Sequence, residues 1–251
     1  MYKNIFLLCT VLFSSIMFTG CAAKKEMSED PDNIYKKAEM LYQREKYSKA
    51  IEKLDHLLLA HFGSQYAAPA QMLLAKCYFE KGEYLTAASE FRRIVSAYGN
   101  SEFVEEAEFM IAESYWNLAP RADRDQTYTE QALMLYRDFL NFYPESDFAD
   151  EAKKGIRQCL DKLAKKEYLA TYIYYKLNDA DAVILYSDLI LEEYPNAAVI
   201  PEVLLLKAWA HKEKGEHLKA TDIYNQIINS YPRSDATEKA ADQLEEITDK
   251  L

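Results

Sequence analysis

The sequence predicts an all-α, superhelical solenoid of about five helix-turn-helix repeats, on three observations. Only 6 Gly and 7 Pro occur in 251 residues, too few turn formers for a sandwich, a barrel or a doubly wound sheet. Small residues recur at a fixed period: Ala38, Ala75 and Ala112 stand 37 residues apart. Aromatic residues followed by Gly or Pro close successive units, at Phe62-Gly63, Tyr98-Gly99, Tyr143-Pro144, Tyr194-Pro195 and Tyr231-Pro232. One such unit cannot bury its apolar face alone, so the copies are expected to stack.

Residues 1–20 read as a signal peptide. Lys3 supplies the positive start, and the mostly apolar run from Ile5 to Phe18 is too short to span a bilayer. The stretch Phe18-Thr19-Gly20-Cys21 resembles the lipobox of bacterial lipoproteins, in which the Cys is acylated and becomes the mature N-terminus. Phe at the first position departs from the usual Leu, and an ordinary secretory signal with an incidental Cys is the alternative. On this reading residues 21–33 are a lipidated Cys21 and a polar tether. Ala22 lacks the acidic side chain that, in the lipoproteins this resembles, signals retention at the inner membrane.

Residues 34–146 are expected to hold three repeats. Twelve residues after Ala38, Ala75 and Ala208 stand Ala50, Ala87 and Ala220, and four further on stand Leu54, Phe91 and Tyr224. Two helices approach closely only where side chains are small, which accounts for Ala at fixed offsets. The turns between paired helices fall at Glu45-Lys46-Tyr47, Lys81-Gly82-Glu83-Tyr84 and Lys214-Gly215-Glu216. Ser64, Ser101, Ser146 and Ser234 are placed to cap the helices that follow. In the third repeat about eight extra residues at about 119–131 lengthen the turn, so its second-helix Ala falls at Ala132. Residues 147–251 are expected to hold a long helix, or two in near continuity, and the C-terminal repeats; in the fourth, Ala170 would anchor the first helix and Ala182 and Tyr186 the second. Two domains split near residue 145 are the alternative.

These repeats resemble the tetratricopeptide repeat, a helix-turn-helix of about 34 residues.

The chemistry-bearing residues are sparse. The 4 His stand at 56, 61, 211 and 217, spacings that do not assemble a metal site, and His211 and His217 are expected to be a solvated pair. There is no glycine-rich phosphate loop, no CxxC, no HExxH and no GxSxG. No cofactor, no metal and no catalytic activity are therefore expected. Of the 4 Cys, Cys9 lies in the leader, while Cys77 and Cys159 read as small buried hydrophobes rather than a disulfide. A net charge of −11 argues against nucleic acid and anionic lipid heads as partners.

Four residues after the anchoring Ala stand Tyr42, Phe79 and Trp116, with Tyr174 at the matching place if Ala170 anchors the fourth repeat. Tyr35, Met72 and Phe109, seven residues earlier, share the stripe. In repeats of this kind the position looks into the concave groove; packing between repeats is the competing reading, and it is adopted for the adjacent Tyr78 and Tyr115. An aromatic wall suits extended peptides, because rings give large contact area for little rotamer entropy. Glu39, Glu80 and Glu113 beside it would discourage acidic peptides.

The lipobox, the tether, the repeats closing on Tyr-Pro, the insert from Pro120 to Ala132 and the segment from Asp161 to Tyr168 together resemble the BamD family, the lipoprotein component of the outer-membrane β-barrel assembly machine. The insert, with Arg124-Asp125-Gln126-Thr127, is the most specific part. The resemblance implies a lipid-anchored scaffold at the periplasmic face of the outer membrane. Its N-terminal repeats would receive unfolded outer-membrane proteins; its C-terminal repeats, with Tyr186 and Tyr224 as candidate contacts, would dock on a BamA-like barrel subunit beside other lipoproteins of the complex. Members commonly carry Arg where this chain has Tyr186. A generic periplasmic repeat adaptor for a cell-wall or secretion complex is the alternative, and it would not need the insert.

Overall fold

The computed structural model describes residues 29–248; the leader and Cys21 lie outside them. Among the described residues eleven helices follow one another and no strand occurs. Five pairs are formed by α1 (Pro31–Gln43) with α2 (Tyr47–Ala60), α3 (Ala67–Glu80) with α4 (Tyr84–Ala97), α5 (Val104–Leu118) with α6 (Thr127–Phe142), α7 (Ala149–Lys176) with α8 (Ala180–Glu193), and α9 (Ile200–Glu213) with α10 (His217–Ser230). A single helix, α11 (Asp235–Thr248), covers the last pair. The first helix begins inside the expected tether because Pro31 occupies its first turn, where a preset φ and a missing N–H carry no penalty.

The turns inside four of the five pairs share one geometry. Glu45, Gly82, Asn178 and Gly215 all take positive φ, between 55° and 76°. In each case the next N–H bonds back five residues, as in Lys46 to the Leu41 carbonyl and Glu83 to the Tyr78 carbonyl, which satisfies carbonyls left over at the helix end. Between repeats, Ser101, Ser146 and Ser234 each accept a bond from the backbone N–H two residues on. Ser64 does not, and its hydroxyl is buried without a partner.

The recurring small residues sit where helices touch: Ala38, Ala50, Ala75, Ala87, Ala112, Ala132, Ala208 and Ala220 are all fully buried. Above them Leu54, Phe91, Tyr136 and Tyr224 are equally enclosed. The fourth repeat departs from the expected register by one residue. Its buried positions are Thr171, Val183, Ser187 and Ile190, while Ala170 is exposed and Ala182 is only partly buried. Asn178, seven after Thr171, holds the left-handed turn, just as Gly82 and Gly215 stand seven after Ala75 and Ala208.

The long stretch after Tyr143-Pro144 is one continuous helix of 28 residues. Ala152, Cys159 and Leu163 of its first half pack with α5 and α6, and Ala164 and Tyr168 join the cluster built on α8 to α11. Gly155 permits the closest approach, because a Cβ there would stand 2.5 Å from the Cζ of Tyr136.

Candidate functional site

Tyr42, Phe79 and Trp116 stand near the ends of α1, α3 and α5, each in a seam between its own pair and the next. All three are partly buried, so the position is both core and surface. Tyr42 meets the first residue of α2, Tyr47, edge-on at 5.6 Å, and Phe79 meets Tyr84 of α4 at 5.2 Å and 71°. The hydroxyl of Tyr42 has its pKa pushed up to about 12, by burial first and then by the Glu80 carboxylate, so it stays a donor. Among the described residues Trp116 has no such aromatic neighbour; the Lys162 ammonium of α7 sits 3.8 Å from its ring centroid.

Met72 and Phe109 do not belong to an exposed stripe. They are 2% and 7% exposed, and the reason is a second aromatic set, at the residue before the first helices α3, α5 and α7: Tyr66, Phe103 and Phe148. Tyr35 lies 5.7 Å from Tyr66, Met72 shares a cluster with Phe103, and Phe109 stacks on Phe148 at 4.9 Å and 15°. Tyr35 alone of this set stays partly exposed. Tyr78 and Tyr115 each touch two neighbouring clusters, as expected of packing between repeats.

The insert between α5 and α6 is folded around one side chain. Gln126 is buried; its amide donates to the carbonyls of Arg121 at 2.8 Å and Arg124 at 3.0 Å, and its oxygen accepts from the Thr129 hydroxyl at 2.7 Å. Asp125 accepts from the Thr127 N–H at 3.0 Å, at the first residue of α6. The Lys162 amine over Trp116 also donates to the Ala119 carbonyl at 3.3 Å, at the start of the insert, and burial lowers its pKa. Next to it, Asp161 accepts from the Ala198 N–H at 2.7 Å, before α9. The two segments that carry the family resemblance are thus in contact: the helix segment from Asp161 clamps the insert on one side and the α8–α9 turn on the other.

Removing the Gln126 amide leaves two carbonyls and a hydroxyl short of partners. Gln126→Ala is expected to lose about 1–3 kcal/mol of stability, read as a lower melting temperature and faster proteolysis within residues 119–126. Gln126→Glu, which sets a carboxylate against two carbonyl oxygens, is expected to do at least as much damage. Unchanged melting and cleavage in both would show that the insert is not held by this residue.

Of the two candidate partner contacts, Tyr224 is fully enclosed and belongs to the core; burial pushes its hydroxyl up to about 12. It therefore has no face to offer a partner subunit. Tyr186 is partly exposed and stacks on Tyr174 at 4.9 Å and 11°. His211 is likewise not solvated: it is 8% exposed, and its Nδ1 stands 2.6 Å from Glu216 Oε2 across the turn, while His217 is exposed. Cys77 and Cys159 are buried and unpaired, and burial pushes both thiols up to about 12, which keeps them unreactive. No group of His, Cys, Asp and Glu among the described residues is arranged to hold a metal ion.

Sequence reasoning missed Lys162 and Gln126. Both lie in the segments noted for their resemblance, but a lone Lys on a helix and a lone Gln in a loop carry no signal of what they touch.

Comparison with known proteins supplies the rest. An "Outer membrane protein assembly factor BamD" from Rickettsia prowazekii is 22% identical over 231 residues, covering 91% of this chain and 92% of its own. Its counterpart of the same name from Caulobacter vibrioides is 25% identical over 194 residues, 74% of this chain and 63% of that one. Among solved structures, a tetratricopeptide repeat protein from Parabacteroides merdae aligns over 88% of this chain and 74% of its own at 17% identity, with a TM-score of 0.38. A family model described as "YfiO: Outer membrane lipoprotein" matches residues 27–225. The chain belongs to the YfiO outer membrane lipoprotein family.

Proposed function

We propose that the chain is a non-catalytic scaffold in the assembly of outer-membrane β-barrel proteins, anchored by acyl chains on Cys21 at the periplasmic face of the outer membrane. Relatives over most of its length are named for outer-membrane protein assembly, and no helix among the described residues is long and apolar enough to cross a membrane. The observation that carries the reading is the seam of Tyr42, Phe79 and Trp116, partly exposed rings repeated on successive first helices. Such a ladder grips the aromatic and apolar side chains of an extended segment at several weak points, each ring pair contributing about 0.5–1.5 kcal/mol beyond area burial. A client is then held without being folded, and released stepwise. Tyr35 extends the ladder at its N-terminal end.

Docking on a BamA-like barrel subunit falls to the C-terminal repeats. Around the Tyr174–Tyr186 stack, α7 and α8 carry Ile173, Leu177, Leu185 and Leu189 with about half or more of their surface exposed, more apolar area than a free helical surface needs.

The test is direct. With Phe79→Ala and Trp116→Ala combined and the helix content checked by circular dichroism, affinity for a peptide from the C-terminal strand of a barrel protein is expected to fall about tenfold, the equivalent of about 1.4 kcal/mol. Affinity unchanged within a factor of about two would place client binding elsewhere.

A further inference from the structure

A second aromatic site lies at the other end of the chain. Between the C-terminal half of α7, α9 and α11 opens a cleft of about 530 Å³, within the range that takes a small ligand or one or two side chains. Its apolar wall is Tyr168, Tyr172, Tyr175 and Trp209, with Tyr175 and Trp209 edge to face at 4.5 Å and 80°. In the corrected register Tyr175 stands four after Thr171, so it is the fourth repeat's equivalent of Tyr42 and Phe79. Carboxylates complete the lining: Glu202 from α9, and Asp235 and Asp242 from α11, against the single ammonium of Lys239. One oxygen of Glu202, Oε2, is shut off from solvent and has no hydrogen-bond partner.

We propose that this cleft binds a cationic side chain, an arginine presented by a basic peptide segment of a partner protein. Glu202 is partly buried and lines the cleft, so a cation there would compensate a carboxylate that has lost part of its hydration. Aromatic faces attract cations through their quadrupole, most strongly the indole. The rings here already do so: the Lys176 ammonium lies 4.9 Å from the Tyr172 centroid and 5.4 Å from that of Tyr175, and Lys165 lies 4.4 Å from that of Tyr168. Neither lysine lines the cleft, so the inner faces remain for a ligand. Burial and the Glu202 charge raise the Tyr168 pKa, which keeps its hydroxyl a donor or a neutral wall rather than a competing anion. A guanidinium fits this set better than an ammonium, because its plane stacks on a ring while its edge pairs with a carboxylate. The site is independent of the N-terminal seam and of the client binding proposed there.

The full-length, isotope-labelled chain is titrated with N-acetyl-arginine amide while the two tryptophan indole resonances are followed by NMR and assigned with a Trp116→Phe variant. The Trp209 signal is expected to shift saturably, in the millimolar range for so small a probe, and the Trp116 signal to stay. N-acetyl-leucine amide and N-acetyl-glutamate amide are expected to leave Trp209 unmoved at the same concentrations. Glu202→Gln is expected to weaken the arginine probe by about fivefold or more; if that variant loses helix content, the exposed rim change Asp242→Asn replaces it, with a weakening of about twofold. An unmoved Trp209, an equal response to the leucine probe, or undiminished binding by a folded variant would overturn the proposal.

Discussion

Gly155→Ala is expected to lower the melting temperature, although alanine is the better helix former. In an open helix interior the exchange would stabilise by about 1 kcal/mol. Here the new Cβ would stand 2.5, 2.6 and 2.9 Å from Cζ, Cε2 and Cε1 of Tyr136, inside any real contact distance. The ring cannot retreat freely. It is fully enclosed, with Phe109 at 6.2 Å, and its hydroxyl donates to Glu113 Oε1 at 2.5 Å. Overpacking of this kind costs about 1–3 kcal/mol, and pulling a buried hydroxyl off its acceptor about as much again. The net loss is expected to be about 2 kcal/mol or more, a fall of roughly 4–8 °C for a chain of this size. Tyr136→Phe frees the ring from Glu113, so the double variant is expected to fall short of the summed single losses by about 1 kcal/mol. A melting temperature that rises in Gly155→Ala would show that α6 and α7 approach less closely than this.

The repeats were legible because their signals are of a kind that only one geometry satisfies. Ala at fixed offsets marks helix contacts, and Gly82 and Gly215 mark left-handed turns that other residues adopt at a cost. Where those residues are absent the reading slips. In the fourth repeat the small positions are held by Thr171 and Val183, while the alanines at 170, 180 and 182 offered a frame one residue away. Asn178 was the discriminating sign, since Asn is among the few residues other than Gly that enter the left-handed region readily.

The candidate site was legible in part for a different reason. That Tyr42, Phe79 and Trp116 recur at equivalent places is a property of one helix, and periodicity shows it. Their exposure is a property of three helices at once, and so is the enclosure of Met72 and Phe109 by Phe103 and Phe148. Tyr224 was misread against its own pattern: it occupies the place of Leu54 and Phe91 in the second helix, and all three are core. The C-terminal cleft drew no notice at all, because Tyr168, Tyr175, Trp209 and Asp242 come from three helices that no spacing rule connects.

On the proposed lipid anchor, Cys21→Ser is expected to move the protein from the membrane fraction to the soluble one. A serine hydroxyl cannot form the thioether that carries the acyl chains. Each buried CH₂ contributes about 0.8 kcal/mol, so two or more chains hold a domain on a membrane that one chain holds only marginally. Among the described residues no helix is long and apolar enough to cross a bilayer. Electrostatics oppose membrane attachment, since a chain of net charge −11 is repelled by anionic headgroups. The variant should keep the helix content of the parent, because the described helices begin at Pro31, ten residues beyond the change. The fractionation is decisive in cells depleted of the proposed barrel subunit, where that partner cannot retain the protein. A variant that still sediments with the outer membrane there, after a salt wash that removes peripheral proteins, would mean that the chain is held by something other than acyl chains on Cys21.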